Sequence, residues 1–311
     1  MRRVLLWGMG IDYENALNPI HYEIMKGNIA VEAIVCKKID MYCRKKDGFR
    51  VILKEEIVEH TFDYIIVLSS NKFTEIKREA LELGVDEKQI INGMLMQQPL
   101  FDFGRYFSLV ENPVTILSDD CWGGIAYSRL NLPFYSPLIN ILWYSTDYAK
   151  FIMDPLFYLD TELQIVEDGD MEKNIYPIGK LGTNEKSVYL QLNHYIDFAE
   201  AKKQWDKRKA RINYQNIFVK MGFFTPSRIS DAEKKECLEA FESVRYNKVL
   251  FCSDHSVNVR ERMHTDRFLW GAERRGFVEA FRYNDYMRVN FPWDIDLLKM
   301  LNGEKDYSRY I

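Results

Sequence analysis

The chain has 311 residues, 47% of them hydrophobic and 28% charged, which is typical of a globular protein long enough for two domains. A net charge of −4 gives no reason to expect a nucleic-acid binder, and no apolar run reaches the roughly 18 to 20 residues of a membrane span. Five scattered cysteines form no CxxC pair, and the first residues are typical of a strand rather than a signal peptide. We therefore expect free thiols and a cytoplasmic location, with membrane association only through partners.

Residues 1–109 are predicted to form an N-terminal Rossmann-like domain, because strands and helices alternate as in a parallel sheet with crossover helices. Apolar runs predict strands at 3–7, 31–36, 49–52, 63–68 and 89–92. The intervening sequence predicts helices at 13–26 and 74–83. Residues 101–112 are predicted to be a connecting segment.

The first strand ends in a Gly8-x-Gly10 turn, which is part of a dinucleotide-binding fingerprint. The third glycine position holds Tyr13, and Cys36 with two lysines replaces the acid that would hold a ribose hydroxyl. This pattern argues against NAD. It leaves open a purely structural tight turn, or a site for a nucleotide, a sugar phosphate or another anion.

Residues 110–311 are predicted to form a second α/β domain with a mostly parallel sheet. Strands are predicted at 114–117, 163–166, 188–192, 216–220 and 248–252. Helices are predicted at 125–130, 140–153, 230–243 and 293–301, with a further helix beginning after Asp197.

Polar side chains follow three of these predicted strands. The first set is Asp119, Asp120 and Cys121, followed by Trp122, Gly123 and Gly124; the second is Asn193 and His194; the third is Asp254 and His255. If the three strands are parallel, their carboxyl ends share one edge of the sheet, where α/β proteins bind ligands. We therefore predict that these residues form one polar ligand site.

Three functions remain open for this site. In group transfer onto a glycan precursor, Asp119 and Asp120 would bind a divalent metal or a sugar hydroxyl, and His194 or His255 would act as general base. Phosphate would bind Arg208 or Arg129.

In the second function, Cys121 and His194 would act as nucleophile and base of an acyltransferase or hydrolase. The adjacent acids oppose this chemistry, because they repel a thiolate. In the third, the domain binds a glycan or a partner without catalysis, and Trp122 provides a stacking surface. The Gly123-Gly124 pair then serves either the ligand or close helix packing.

Several motifs are similar to a bacterial family known as domain of unknown function 1919, often labelled exopolysaccharide biosynthesis. They are Asp-Asp-Cys-Trp-Gly-Gly at 119–124, Leu-Pro-Phe-Tyr-Ser-Pro at 132–137, Tyr-Pro-Ile-Gly at 176–179, Asn-His-Tyr at 193–195, and the basic segment 200–213. Segments 4–10, 63–70 and 82–85 resemble the Rossmann-like domains at the front of bacterial polysaccharide-biosynthesis proteins. The resemblance implies a surface-glycan context, with a glycan or sugar nucleotide as the ligand.

Overall fold

The computed structural model describes residues 1–38, 44–98, 100–170, 175–223, 229–252, 256–264 and 296–307. The chain divides into two compact units, Met1–Glu111 and Asn112–Ile311. Both units mix helices with parallel strands, so the predicted α/β fold is confirmed. Within the described residues, no helix combines the length and apolar character needed to cross a bilayer.

The N-terminal unit is built on a six-stranded sheet. Its strands are β1 (Arg2–Trp7), β2 (Ile29–Cys36), β3 (Lys45–Lys46), β4 (Phe49–Leu53), β5 (Tyr64–Val67) and β6 (Ile90–Asn92). The order is β3-β4-β2-β1-β5-β6, and every pair is parallel except β3 with β4. Strand β1 lies in the middle of the sheet and is buried from Val4 to Trp7. Such apolar strands are typical of parallel sheets, whose two faces are covered by helices.

The described part of this unit has three α-helices: α1 (Ile11–Met25), α2 (Phe73–Glu82) and α3 (Phe103–Glu111). Short 3-10 helices cover Lys54–Glu59, Glu87–Gln89 and Gly93–Gln97. The prediction that 101–112 is a connecting segment was wrong, because α3 occupies most of it. Phe103 and Phe107 lie one turn apart and are both buried. Phe107 also stacks on Tyr64 of β5 with ring centroids 4.5 Å apart, which anchors the helix to the sheet.

The turn between β1 and α1 requires glycine at one of its two glycine positions. Gly8 has φ +126°, and a Cβ there would lie 2.5 Å from the carbonyl oxygen of Leu68. Gly10 has open space around an added Cβ. Asp12 accepts hydrogen bonds from the amide and hydroxyl of Ser70 at 2.7 and 2.9 Å, and so joins the ends of β1 and β5.

The described residues of the C-terminal unit form two sheets. The parallel sheet, in the order β14-β13-β12-β7, contains β7 (Thr115–Ser118), β12 (Ile217–Phe223), β13 (Asn247–Cys252) and β14 (Arg262–His264). The antiparallel sheet, in the order β8-β11-β10-β9, contains β8 (Leu142–Trp143), β9 (Gln164–Glu167), β10 (Ile178–Gly182) and β11 (Ser187–Gln191).

Among the described residues, the helices of this unit are α4 (Trp122–Arg129), α5 (Ser145–Met153), α6 (Pro155–Asp160), α7 (Phe198–Lys209), α8 (Asp231–Ser243) and α9 (Leu297–Leu301). The helix predicted over 140–153 begins only at Ser145. Residues 142–143 instead form β8, where Trp143 pairs with Leu190 of β11. The Trp143 amide also donates to the carbonyl of Asp119 at 3.0 Å, which joins the antiparallel sheet to the end of the parallel one.

Candidate functional site

The turn from β7 into α4 presents Asp119, Asp120 and Cys121 at the carboxyl end of the parallel sheet. Asp120 accepts hydrogen bonds from the amide of Trp122 at 2.9 Å and from the hydroxyl of Ser118 at 3.1 Å. A carboxylate in this position caps the first turn of a helix, whose amides lack partners within the helix. Asp120 therefore fixes the turn and leaves Cys121 at the N-cap of α4.

The structure brings Cys121 and His194 together: Sγ of the half-buried thiol lies 3.1 Å from Nε2 of the exposed imidazole. The predicted reason for this proximity was wrong. His194 follows β11, which belongs to the antiparallel sheet, so the two residues do not share one edge of a parallel sheet. The bond between Trp143 and Asp119 holds the two sheets close enough for the contact.

Buried groups hold the segment that carries His194. The neighbouring Tyr195 donates its hydroxyl to the carbonyl of Ile139 at 3.0 Å. Arg208, on α7, donates to that tyrosine oxygen at 2.6 Å and lies over the Phe134 ring at 5.3 Å. The structure thus places the predicted anion-binding Arg208 beneath the site, where it positions the loop next to His194.

The Cys121 thiol is neutral at rest. Burial is the largest cause that raises its pKa, to about 11, and the charge of Asp120 adds to the effect. Lys220 acts in the opposite direction but does not outweigh them. The thiol therefore needs a base to remove its proton during a reaction, and His194 is within hydrogen-bond reach.

The acid pair binds a buried lysine. Lys220 lies at 0% exposure in β12, and its Nζ is 2.9 Å from Asp119 and 2.6 Å from Asp120. Asp119 also accepts from the amide of Gly222 at 2.8 Å. Burial, together with Asp120, raises the pKa of Asp119 to about 6 despite the lysine. Burial acts to lower the pKa of Lys220, but the two acids together outweigh it and raise that pKa.

This contact bears on the predicted metal at Asp119 and Asp120. The ammonium of Lys220 already occupies the position between the two carboxylates that a divalent cation would need. Within the described part of the chain, no group of three or more histidine, cysteine or acidic side chains is arranged to hold a metal ion. The two aspartates that the sequence offered as metal ligands are thus engaged in a buried ion cluster.

A cavity of about 490 Å³ opens beside the thiol and the imidazole. Its remaining lining residues come from α4 and from the loop that follows it: Gly124, Ile125, Ser128, Arg129, Phe134, Ile139 and Asn140. This volume falls within the range of small-molecule sites, and the lining mixes apolar with polar side chains. The cavity is large enough to hold a small molecule against the thiol and the imidazole.

Two of the other predicted residues face away from the cavity. Trp122 is only 1% exposed and packs between Phe218 and Phe251, with ring centroids 6.2 and 5.8 Å away. Gly123 allows α4 to approach β7, since a Cβ there would lie 3.2 Å from Ile116 Cγ2. The contacts of both residues are those of the core.

The other predicted residues fall into three groups. Asn193 precedes His194, and its Oδ1 is buried without a hydrogen-bond partner among the described residues. Asp254 and His255 lie outside the described residues. Gly8 and Gly10 belong to the N-terminal unit.

Sequence reasoning missed Lys220, Ser128 and Asn140. A lysine at the end of the apolar run 216–220 was the available signal for the first, because a charged residue inside a buried strand needs a partner. Asn140 was expected in a helix but has φ +62°, a left-handed conformation that asparagine tolerates better than most residues. Ser128 carried no signal beyond its place in a short helix.

Comparison with known proteins extends the resemblance found in the motifs. A family model described as a domain of unknown function (DUF1919) matches residues 92–302, and another, described as C2185-like, N-terminal, matches residues 1–91. An uncharacterized protein of Haemophilus influenzae is 28% identical over 203 residues, which cover 65% of this chain and 83% of that protein. The first model spans the cavity and more than half of the sequence, and the chain belongs to the DUF1919 family.

Proposed function

We propose that the C-terminal unit is a cysteine-dependent acyltransferase or hydrolase, with Cys121 as nucleophile and His194 as general base. The observation that carries this proposal is the 3.1 Å contact between Sγ and Nε2 at the wall of the cavity. A nucleophile and base within hydrogen-bond distance are the geometric signature of covalent catalysis.

The reaction follows from this geometry in two halves. His194 Nε2 takes the proton of the Cys121 thiol while Sγ attacks a substrate carbonyl carbon, and the tetrahedral adduct collapses to a thioester. The bond to the leaving group breaks, and the leaving group takes the proton from His194. An acceptor hydroxyl or water then gives its proton to His194 and attacks the thioester, and the released sulfur recovers that proton.

The start of α4 supports the first half of the reaction. Asp120 already accepts from the Trp122 amide. The amides that follow in the first turn have no partner inside the helix and carry partial positive charge, so they would favour an oxyanion beside Cys121. Gly124 places no side chain over this turn and lines the cavity. The negative charge that develops on the carbonyl oxygen would be stabilised where the helix begins.

The acid pair supports this proposal over metal-assisted group transfer. Lys220 neutralises part of the charge of Asp119 and Asp120 and engages both side chains. We propose that the pair shapes the turn that carries the thiol. The polysaccharide resemblance supports a glycan hydroxyl as the acceptor class, in which case the enzyme is a transferase of surface-glycan biosynthesis with a Rossmann-like N-terminal unit.

The test uses the full chain and the activated ester p-nitrophenyl acetate. After an acid quench, mass spectrometry of peptides should find acetyl on the peptide containing Cys121, and Cys121→Ala should remove it. His194→Ala should slow acetylation by about 10²- to 10⁴-fold, the usual contribution of a positioned base. Cys237→Ala, which removes a buried thiol of the same unit, and His60→Ala, in the N-terminal unit, should react as the wild type does.

Two results would overturn the proposal. The first is acetylation spread over lysines with no preference for Cys121. The second is a His194→Ala protein that is acetylated at Cys121 as fast as the wild type, since the imidazole would then take no proton in the rate-determining step.

A further inference from the structure

One face of α4 runs along the cavity from the thiol to a cation. The lining residues of this segment are Cys121, Gly124, Ile125, Ser128 and Arg129, which follow the i, i+3, i+4, i+7, i+8 spacing of a single helix face. With a rise of 1.5 Å per residue, the backbone positions of Cys121 and Arg129 are about 12 Å apart along the helix axis. The two residues therefore mark opposite ends of the cavity wall.

Glycine in the middle of this face lets the opposite wall approach the helix closely. A Cβ at Gly124 would lie 3.3 Å from Ile139 Cγ2, which is closer than most Cβ contacts. Because Cys121 and Arg129 line the same cavity, a ligand that contacts both must span the length of helix between them.

The lining of the cavity contains a permanent positive charge and no acidic side chain. Among the nine lining residues, Arg129 carries a permanent charge and none is an aspartate or glutamate. An arginine stays protonated at all physiological pH values, and its five N–H donors match the oxygens of carboxylates and phosphates. The neighbouring Ser128 hydroxyl and Asn140 amide add neutral hydrogen-bonding groups to the wall.

We propose that the substrate acylating Cys121 carries an anionic group, a carboxylate or a phosphate, that binds Arg129 with Ser128 and Asn140 as further hydrogen-bonding partners. This inference rests on the proposed function for its account of the thiol. Because helical side chains lean toward the N-terminus, the anion would sit about 8 to 10 Å from Sγ. The substrate is thus elongated, with its carbonyl at one end of the cavity and its negative charge at the other.

The first experiment measures binding without any reaction. Thermal shifts of the full chain are recorded with butyrate, with its neutral isostere butyramide, and with inorganic phosphate. Butyrate or phosphate should raise the melting temperature of the wild type and of Cys121→Ala, and butyramide should not. Whichever of the two anions binds more tightly identifies the anionic group as a carboxylate or a phosphate.

Variants then assign the binding to the cavity. Arg129→Met should weaken anion binding at least tenfold, whereas Arg129→Lys should weaken it less, because the charge remains while the forked donors are lost. Arg245→Met removes an exposed arginine of the same unit that does not line the cavity, and it should bind as the wild type does. Equal binding of butyrate and butyramide to the wild type overturns the inference without any variant.

The second experiment compares two esters, p-nitrophenyl butyrate and the carboxylate-ended p-nitrophenyl hydrogen adipate. Arg129→Met should lower kcat/KM for the anionic ester, mainly through KM, by about 10- to 100-fold more than it lowers kcat/KM for the neutral ester. Acylation of Cys121 that is insensitive to Arg129 refutes the anion site alone. Anion binding through Arg129 without acylation of Cys121 by either ester refutes the proposed chemistry and leaves the anion site standing.

Discussion

Replacing Lys220 with methionine tests the ion cluster beneath the turn. The substitution keeps much of the aliphatic volume and removes the ammonium that contacts Asp119 and Asp120 at 2.9 and 2.6 Å. The two carboxylates are only 14% and 15% exposed, so water replaces little of the lost interaction. Removing one partner of a buried ion pair leaves an uncompensated charge and typically costs about 3 to 5 kcal/mol. We expect a loss of this size in the free energy of unfolding at pH 8.

The loss should shrink as the pH falls. The pKa of Asp119 is already raised to about 6 in the folded wild type, against about 3.9 for an unfolded chain. A group raised in the folded state contributes stability that is present below the unfolded pKa and is lost as the pH rises through the folded one. Without Lys220 that pKa rises further, so at pH 5 the variant binds a proton that removes much of the repulsion.

Urea unfolding at pH 8 and pH 5, followed by tryptophan fluorescence, measures both quantities. A Trp7→Phe background removes an indole of the N-terminal unit from the signal. Lys203→Met is the matched control, since its side chain is 76% exposed and should change stability by less than about 0.5 kcal/mol. Adding Asp119→Asn and Asp120→Asn to Lys220→Met should recover part of the loss, because a wholly neutral cluster has no unpaired charge.

A cost of less than about 1 kcal/mol for Lys220→Met at pH 8 would lie well below the range for a broken buried pair. An equal cost at pH 5 and pH 8 would likewise contradict the expected loss of repulsion on protonation. Either result would mean that the carboxylates are not held as charges by the lysine.

Two further predictions concern the glycine turn and the thiol. Gly8→Ala should lower the stability of the N-terminal unit by more than about 1 kcal/mol, because φ is +126° and the new Cβ would lie 2.5 Å from a carbonyl oxygen. Gly10→Ala should be tolerated, because the space around an added Cβ is open. Hydrogen exchange of peptides from this unit compares the stability of the two variants. The rate of Cys121 alkylation by iodoacetamide should rise about tenfold per pH unit between pH 7 and 10, because the pKa of the thiol is near 11. Asp120→Asn should shift this pH profile to lower pH, because it removes a charge that raises the thiol pKa. A plateau of the rate near pH 8 in the wild type would contradict both expectations.

The periodicity of apolar residues was enough to predict most strands of both units, because buried strands read as short continuous apolar runs. It was not enough for α3, which contains buried phenylalanines. The Glu-Asn-Pro sequence at 111–113 is typical of a domain boundary, and it led to the prediction of a connecting segment before it. It also merged β8 with α5, since the pairing of Trp143 with Leu190 depends on a strand far along the chain. Local sequence patterns predict individual helices and strands. They do not predict which strand an edge strand pairs with, because that depends on tertiary packing.

The site shows the same division. The sequence predicted that Cys121 and His194 belong together, and the structure places their reactive atoms 3.1 Å apart. The predicted reason, a shared edge of one parallel sheet, fails because β11 belongs to the antiparallel sheet. Lys220 could not be assigned to the acid pair, because burial of a lysine depends on packing from both faces of its strand. The cavity is likewise a property of the packed loop and helix.

The acid pair influences the ionisation of the Cys121 thiol, and this determines which chemistry the site favours. Asp120 caps α4 and binds Lys220, and its remaining negative charge helps to keep the Cys121 thiol neutral. With a pKa near 11, about one thiol in 10⁴ is ionised at pH 7, which disfavours alkylation and oxidation of the resting protein. A carbonyl substrate avoids this limit, because His194 can take the proton as the carbon–sulfur bond forms. The turn therefore favours chemistry that begins with a bound acyl group over chemistry that needs a preformed thiolate.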